Sequence, residues 1–166
     1  MWQSFWSCKK RAAVNECLVY SEIQIEIKQE VVEQLQAYAQ HEGNELCGVL
    51  MGSQIADNKY RINKVSPPCV KSNSRYSCER DAEQANAYIE KDFEQSNHTR
   101  VYIGEWHTHL QQRPQPSGTD YNAILTNYTS SRLCVQFLIM VVVGTDSIYY
   151  SVYDGKGFVE ITPLVV

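Results

Sequence analysis

The chain has 166 residues, 43% of them hydrophobic, a length and composition that suit one domain with a core of its own. Its formal net charge is -4, from 15 basic and 19 acidic side chains, and the basic residues form no long run. That balance excludes the electrostatic footprint of a duplex nucleic-acid binder and makes a protein or small-molecule substrate the better expectation.

Residues 1–17 carry Trp2, Phe5 and Trp6 followed by Lys9, Lys10 and Arg11 without a clear period. They read as an N-terminal arm, either docking or frayed, ahead of a folded domain at 18–166. The alternation of Ile23, Ile25 and Ile27 with Gln24 and Glu26 predicts a strand over 19–27. Residues 28–41 switch to helical spacing, with Gly43 as the stop. A short apolar strand over 46–51, a turn at Asp57-Asn58 and a strand over 60–65 closed by Pro67-Pro68 come next.

Residues 69–78 read as loop, 79–95 as a helix with Ala82, Ala85, Ile89 and Phe93 on one side, and 101–109 as a strand. After a loop with Pro114 and Pro116, a third helix is expected over 119–128. Strands over 134–143, 148–153 and 158–161 end the chain, the last two joined at Asp154-Gly155. The pattern implies an α+β, α/β/α-like domain in which a mixed sheet is flanked by helices.

The longest apolar run, 133–143, is broken by Gln136 and is too short to cross a bilayer. The N-terminus has no apolar core of a secretory signal. Cys8, Cys17, Cys47, Cys69, Cys78 and Cys134 form no C-x-x-C pair. They are expected to be reduced thiols of a cytoplasmic protein.

The chemistry concentrates in His107-Thr-His109 and Ser117-Gly-Thr-Asp120. Two His at i and i+2 on an extended segment point to one face, roughly 6.6 Å apart by strand rise. Both imidazoles can then reach one metal at about 2.0 to 2.1 Å, with Asp120 as a third, oxygen ligand and a fourth position left for water. Each member alone has an ordinary explanation. Ser117-x-x-Asp120 is the form of a helix capping box, and a lone His is more often a satisfied half-buried side chain. It is the conjunction that marks a metal site.

The run Gly104-Glu-Trp-His107-Thr-His109 through Pro116-Ser117-Gly-Thr-Asp120 resembles the JAMM metalloprotease motif, His-x-His-x7-Ser-x2-Asp. Glu45-Leu-Cys-Gly48-Val-Leu50-Met-Gly52 resembles the companion strand, Glu-x-x-Gly-x-Leu-x-Gly. The likeness covers about residues 20–162 and implies an MPN, cytidine-deaminase-like fold. It makes His107, His109 and Asp120 the ligands of one Zn2+, Glu45 the proton shuttle and Ser117 the oxyanion donor. Ser66-Pro67-Pro68, Arg75-Tyr76 and Arg80-Asp81 resemble the short bacterial branch of antiphage operons, which includes the deconjugase of type II CBASS and a similar enzyme of the Bil operons. Leu110 departs from the Pro that many members carry after the second His, which touches loop rigidity and no ligand.

The expected function is therefore a zinc-dependent isopeptidase that cuts after the C-terminal tail of a ubiquitin-like or similarly conjugated protein. E1- and E2-like conjugation proteins would be its partners, with no nucleic acid and no membrane involved. A peptidase trimming a sulfur-carrier protein and a non-catalytic MPN scaffold are the alternatives. Within the motif, Glu105 shares the strand face of both His residues and competes as base or supporting partner, and Cys47 competes as a thiolate ligand or a small core residue. Cys69, Cys78, His41 and His98 are assigned no chemistry.

Overall fold

A strand buried on both faces sets the architecture. All six side chains of β7 (Leu138–Val143) are buried, which an unbroken apolar run achieves only when a sheet is covered above and below. The computed structural model describes residues 23–166, so the arm at 1–17 lies outside the described residues.

Around β7 an eight-stranded mixed sheet runs in the order β10-β1-β3-β2-β6-β7-β8-β9. Its members are β1 (Gln24–Ile27), β2 (Cys47–Ala56), β3 (Lys59–Val65), β6 (Val101–Thr108), β7, β8 (Ile148–Tyr153), β9 (Phe158–Glu160) and β10 (Leu164–Val165). A separate hairpin pairs β4 (Val70–Ser74) with β5 (Ser77–Arg80). β6 lies antiparallel to β2 on one side and parallel to β7 on the other.

Alternation along β7 divides the core. Ile139, Val141 and Val143 join Leu50, Ile62, Ile103 and Trp106 under α1 (Gln29–Ala37), which contributes Val31 and Leu35. Leu138, Met140 and Val142 face the other way, against Ile124 of α3 (Gly118–Ser130). α2 (Ala82–Gln95) packs Ala85 and Ile89 beside Val49 and Tyr102. Helices thus cover both faces, as the α/β/α-like reading expects. An ion cluster ties α2 to the sheet: buried Asp92 meets Lys64 at 2.8 Å and Arg100 at 2.7 Å.

Several boundaries differ from the sequence reading. Residues 69–78, expected as loop, contain β4 and the first half of β5. Helix α2 begins later than residue 79 because Glu79 and Arg80 belong to β5 and Asp81 is the N-cap, accepting from the Gln84 amide at 2.9 Å. The strand expected from 134 begins at Leu138, and the two-residue β10 was not expected.

The expectation of reduced thiols is overturned for Cys47, Cys78 and Cys134, while Cys8 and Cys17 lie outside the described residues. Cys47 and Cys78 form a disulfide with Cα atoms 6.0 Å apart. Folding of the β4–β5 hairpin against the start of β2 brings together two cysteines 31 positions apart, which local spacing does not reveal. Cys134 is also disulfide-bonded, whereas Cys69 is free and buried. This removes one ground for the cytoplasmic expectation; among the described residues no helix is long and apolar enough to cross a membrane.

The contact between β6 and β7 depends on Gly104. A β-carbon there would fall 2.8 Å from the Ile139 carbonyl carbon and 2.9 Å from its Cβ, and backbone inside a sheet has little freedom to withdraw. Gly104→Ala is expected to destabilise the protein by at least ~1–3 kcal/mol, read as a lower urea midpoint at unchanged slope.

Candidate metal centre

The site is assembled where the end of β6 meets the start of α3. β6 is paired along both edges there, with His107 opposite Cys47 of β2 and opposite Val142 of β7. The His109 amide, one residue beyond the strand, donates to the Val143 carbonyl at 2.9 Å. Strand alternation sends Trp106 into the core under α1. His107 and His109 therefore turn to the opposite face, their ring centroids 4.8 Å apart and tilted by 59°.

The chain then crosses to α3 through a pinned connection. Gln111 and Gln112 carbonyls accept from the Thr145 and Asp146 amides at 2.8 and 3.2 Å, and Pro114 is buried. At its end Ser117 caps the helix: its Oγ accepts from the Asp120 amide at 3.2 Å, while the Ser117 amide donates to Asp120 Oδ2 at 2.6 Å. This reciprocal pair is a capping box. The same carboxylate faces the imidazoles, with Oδ1 3.2 Å from His107 Nε2 and Oδ2 3.4 Å from His109 Nε2. The cap thus holds the Asp120 carboxylate against both imidazoles.

One ligand atom from each of His107, His109 and Asp120 lies within 4.8 Å of the others. His107 Nε2 is buried and, although Asp120 Oδ1 stands 3.2 Å away, makes no hydrogen bond of good geometry among the described residues. A buried imidazole nitrogen without a well-formed hydrogen bond beside a second imidazole and a carboxylate is a donor set suited to a divalent transition metal. The residues fit such an ion.

Glu45 stands just ahead of β2, opposite the β6 end. It is buried, and its Oε1 lies 3.8 Å from His109 Nε2, beyond hydrogen-bond reach. Its main chain is held by the β4–β5 hairpin: the Glu45 amide donates to the Ser74 carbonyl at 2.8 Å, and Asn73 Nδ2 donates to the Glu45 carbonyl at 2.7 Å. These two partners were not singled out in the sequence, because polar hairpin residues carry no local signal of what they hold.

The two carboxylates of the site are pushed in opposite directions. Burial raises the pKa of Glu45 and is only partly opposed by His109 and His107. Burial acts upwards on Asp120 too, but the close approach of His107 and His109 prevails and holds it well below the usual carboxylate range. His109 is raised: burial alone would lower it, and Asp120 and Glu45 overcome that.

The other candidates are placed elsewhere. Glu105 is occupied, accepting from Tyr102 Oη at 2.7 Å and meeting Arg80 Nε at 3.1 Å. The Cys47 sulfur is bound in the disulfide and so is no thiolate ligand. His41 is exposed, and His98 pairs with Glu94 at 3.1 Å on the surface. Ser117 is exposed; its hydroxyl accepts the cap hydrogen bond, and no acceptor for its own proton is found among the described residues.

Comparison with known proteins identifies the family. A family model described as prokaryotic homologs of the JAB domain matches residues 28–153. The chain belongs to the prokaryotic JAB-domain family. A relative in Vibrio cholerae serotype O1, named CD-NTase/cGAS isopeptidase, is 30% identical over 132 residues, spanning 78% of this JAB protein and 78% of its own length. An Escherichia coli relative of the same name is 29% identical over 125 residues, spanning 74% and 78%. In fold, this JAB domain is similar to a Desulfitobacterium hafniense protein solved in solution, with a TM-score of 0.66, 18% identity and coverage of 86% and 93% of the two chains.

A stability prediction follows from Glu45. Its folded pKa lies above its unfolded value, so the carboxylate costs nothing below the unfolded pKa and destabilises increasingly as pH rises through the folded one. In metal-free protein, Glu45→Gln is expected to raise stability at pH 8 by on the order of 1 kcal/mol, and by clearly less at pH 4. Paired thermal melts at the two pH values measure it, and equal gains would contradict the assignment.

Proposed function

We propose that this JAB-domain protein is a zinc-dependent isopeptidase, a deconjugase of an antiphage CBASS operon. It would hydrolyse the bond between the C-terminal tail of a conjugated protein and a lysine amine. The observation that carries the reading is the three-ligand cluster of His107, His109 and Asp120 with a buried carboxylate, Glu45, facing it. The names of the relatives support the choice of substrate, a conjugate of a CD-NTase, over the ubiquitin-like conjugate of the Bil type.

Zinc held by His107, His109 and Asp120 would polarise the scissile carbonyl and lower the pKa of a bound water towards about 7. The remaining work falls to side chains of the chain. Glu45, its pKa raised by burial, is suited to take a proton from the attacking water and pass it to the leaving lysine amine. The Ser117 hydroxyl, fixed at the start of α3, is available to donate to the carbonyl oxygen as negative charge develops. Water adds across the amide: the tail leaves as a carboxylate and the lysine as a free amine. An extended tail held by main-chain hydrogen bonds beside the site is the expected mode of recognition, and the 66–78 and 111–116 segments would select it.

Metal analysis and kinetics test this together. Protein purified without chelator should carry about one zinc per chain, and Asp120→Ala should lose metal and activity together. Glu45→Gln should keep the metal and lose turnover by about 10³-fold. Ser117→Ala should keep it and lose on the order of 10² to 10³ in kcat. Metal-free protein from such a preparation would overturn the enzymatic reading.

A further inference from the structure

The Glu45 side of the site and the histidine side are joined at Leu46 and Thr108, by one backbone bond and one side-chain hydroxyl. The Thr108 amide donates to the Leu46 carbonyl at 2.9 Å, and the Leu46 amide returns a bond of 2.9 Å to Thr108 Oγ1. That hydroxyl gives its own proton to Gln40 Oε1 at 3.3 Å. Thr108 is fully buried. The β2–β6 register begins one residue later, at Cys47 opposite His107, so the Leu46 amide is met by a side chain where a further backbone rung would be expected. Leu46 directly follows Glu45, and Thr108 lies between His107 and His109.

We propose that Thr108 is a positioning residue for the reaction, its hydroxyl setting where Glu45 stands relative to the His107–His109 pair. The inference rests on the role proposed above for Glu45. The histidines have independent support, since β7 pairs with His107 and the Val143 carbonyl accepts from His109. Glu45 is otherwise held by Asn73 and Ser74, which belong to the separate hairpin. Without the hydroxyl, one of the two hydrogen bonds that tie Leu46 to Thr108 is lost, and Glu45 is held more by the hairpin and less by the strand that carries the ligands. Valine keeps the shape of threonine and leaves the half-buried Leu46 amide without its partner, a loss that neighbouring apolar atoms do not make good.

The test compares Thr108→Val and Thr108→Ser by zinc content, steady-state kinetics on a lysine-linked tail conjugate, and amide hydrogen exchange at Leu46. Thr108→Val should retain its zinc and its KM, lose about tenfold in kcat, and exchange the Leu46 amide about tenfold faster. Thr108→Ser, with the hydroxyl restored, should regain most of the kcat and the slow exchange. If Thr108→Val does not fold, Gln40→Leu, which removes only the acceptor that orients the hydroxyl, should lower kcat about threefold. Three results overturn the inference: a Thr108→Val protein with wild-type kcat, one whose activity falls only as its zinc is lost, or a Thr108→Ser protein no better than Thr108→Val. A fully active Glu45→Gln protein would instead remove the underlying assignment of Glu45, whatever Thr108 does.

Discussion

The site depends on a strand end that is hydrogen-bonded on both sides. At its terminus β6 has β2 along one edge and β7 along the other, so the backbone carrying His107 has no lateral freedom. Most strands release their ends into loops; here the pairing extends past the strand, through the His109 amide to Val143. A pair of imidazoles on such a support is oriented by the sheet itself, and the apolar burial that makes β7 the centre of the fold is what fixes them.

The electrostatics of the two carboxylates follow from what each meets at similar burial. Asp120 lies against two imidazoles, which favour its charged form. Glu45 is removed from water, stands just outside hydrogen-bond reach of His109, and holds a proton more readily than an exposed glutamate. Environments that drive two acids apart distinguish a charge that stays from a proton that moves. Burial of Glu45 costs stability, and the surrounding hydrogen bonds from the hairpin and from β6 offset it locally.

The sequence was most legible where the signal was local. β7 and β8 were evident from apolar runs, and the cluster of His107, His109 and Asp120 from spacing within fourteen residues of chain. Glu45 was reachable only through a family likeness, because the sheet brings it to His109 from a distant part of the chain. The β4–β5 hairpin was missed because Lys71-Ser-Asn-Ser74 has no apolar alternation; it is a two-stranded ribbon held by Lys71–Glu79, Ser72–Glu79 and the Cys47–Cys78 bond rather than by a core. For the same reason Cys47 and Cys78 were misread as reduced, since their pairing exists only once that ribbon is in place. Thr108 sat inside the motif as a position without a specified type, and only the hydrogen bonds to Leu46 and Gln40 give it a part.

The capping box at the start of α3 bears on the order of events during maturation. Asp120 is oriented by the Ser117 amide and by its own place in the first turn of a thirteen-residue helix, both of which form when the chain folds. The conformational entropy of its carboxylate is therefore lost in folding rather than in metal capture. In a zinc finger the ion creates its own coordination shell and the apoprotein is unfolded. On the proposed ligand set this domain would follow the opposite logic: the shell would precede the ion, and loading would be a late step in the life of a molecule that already has its final shape.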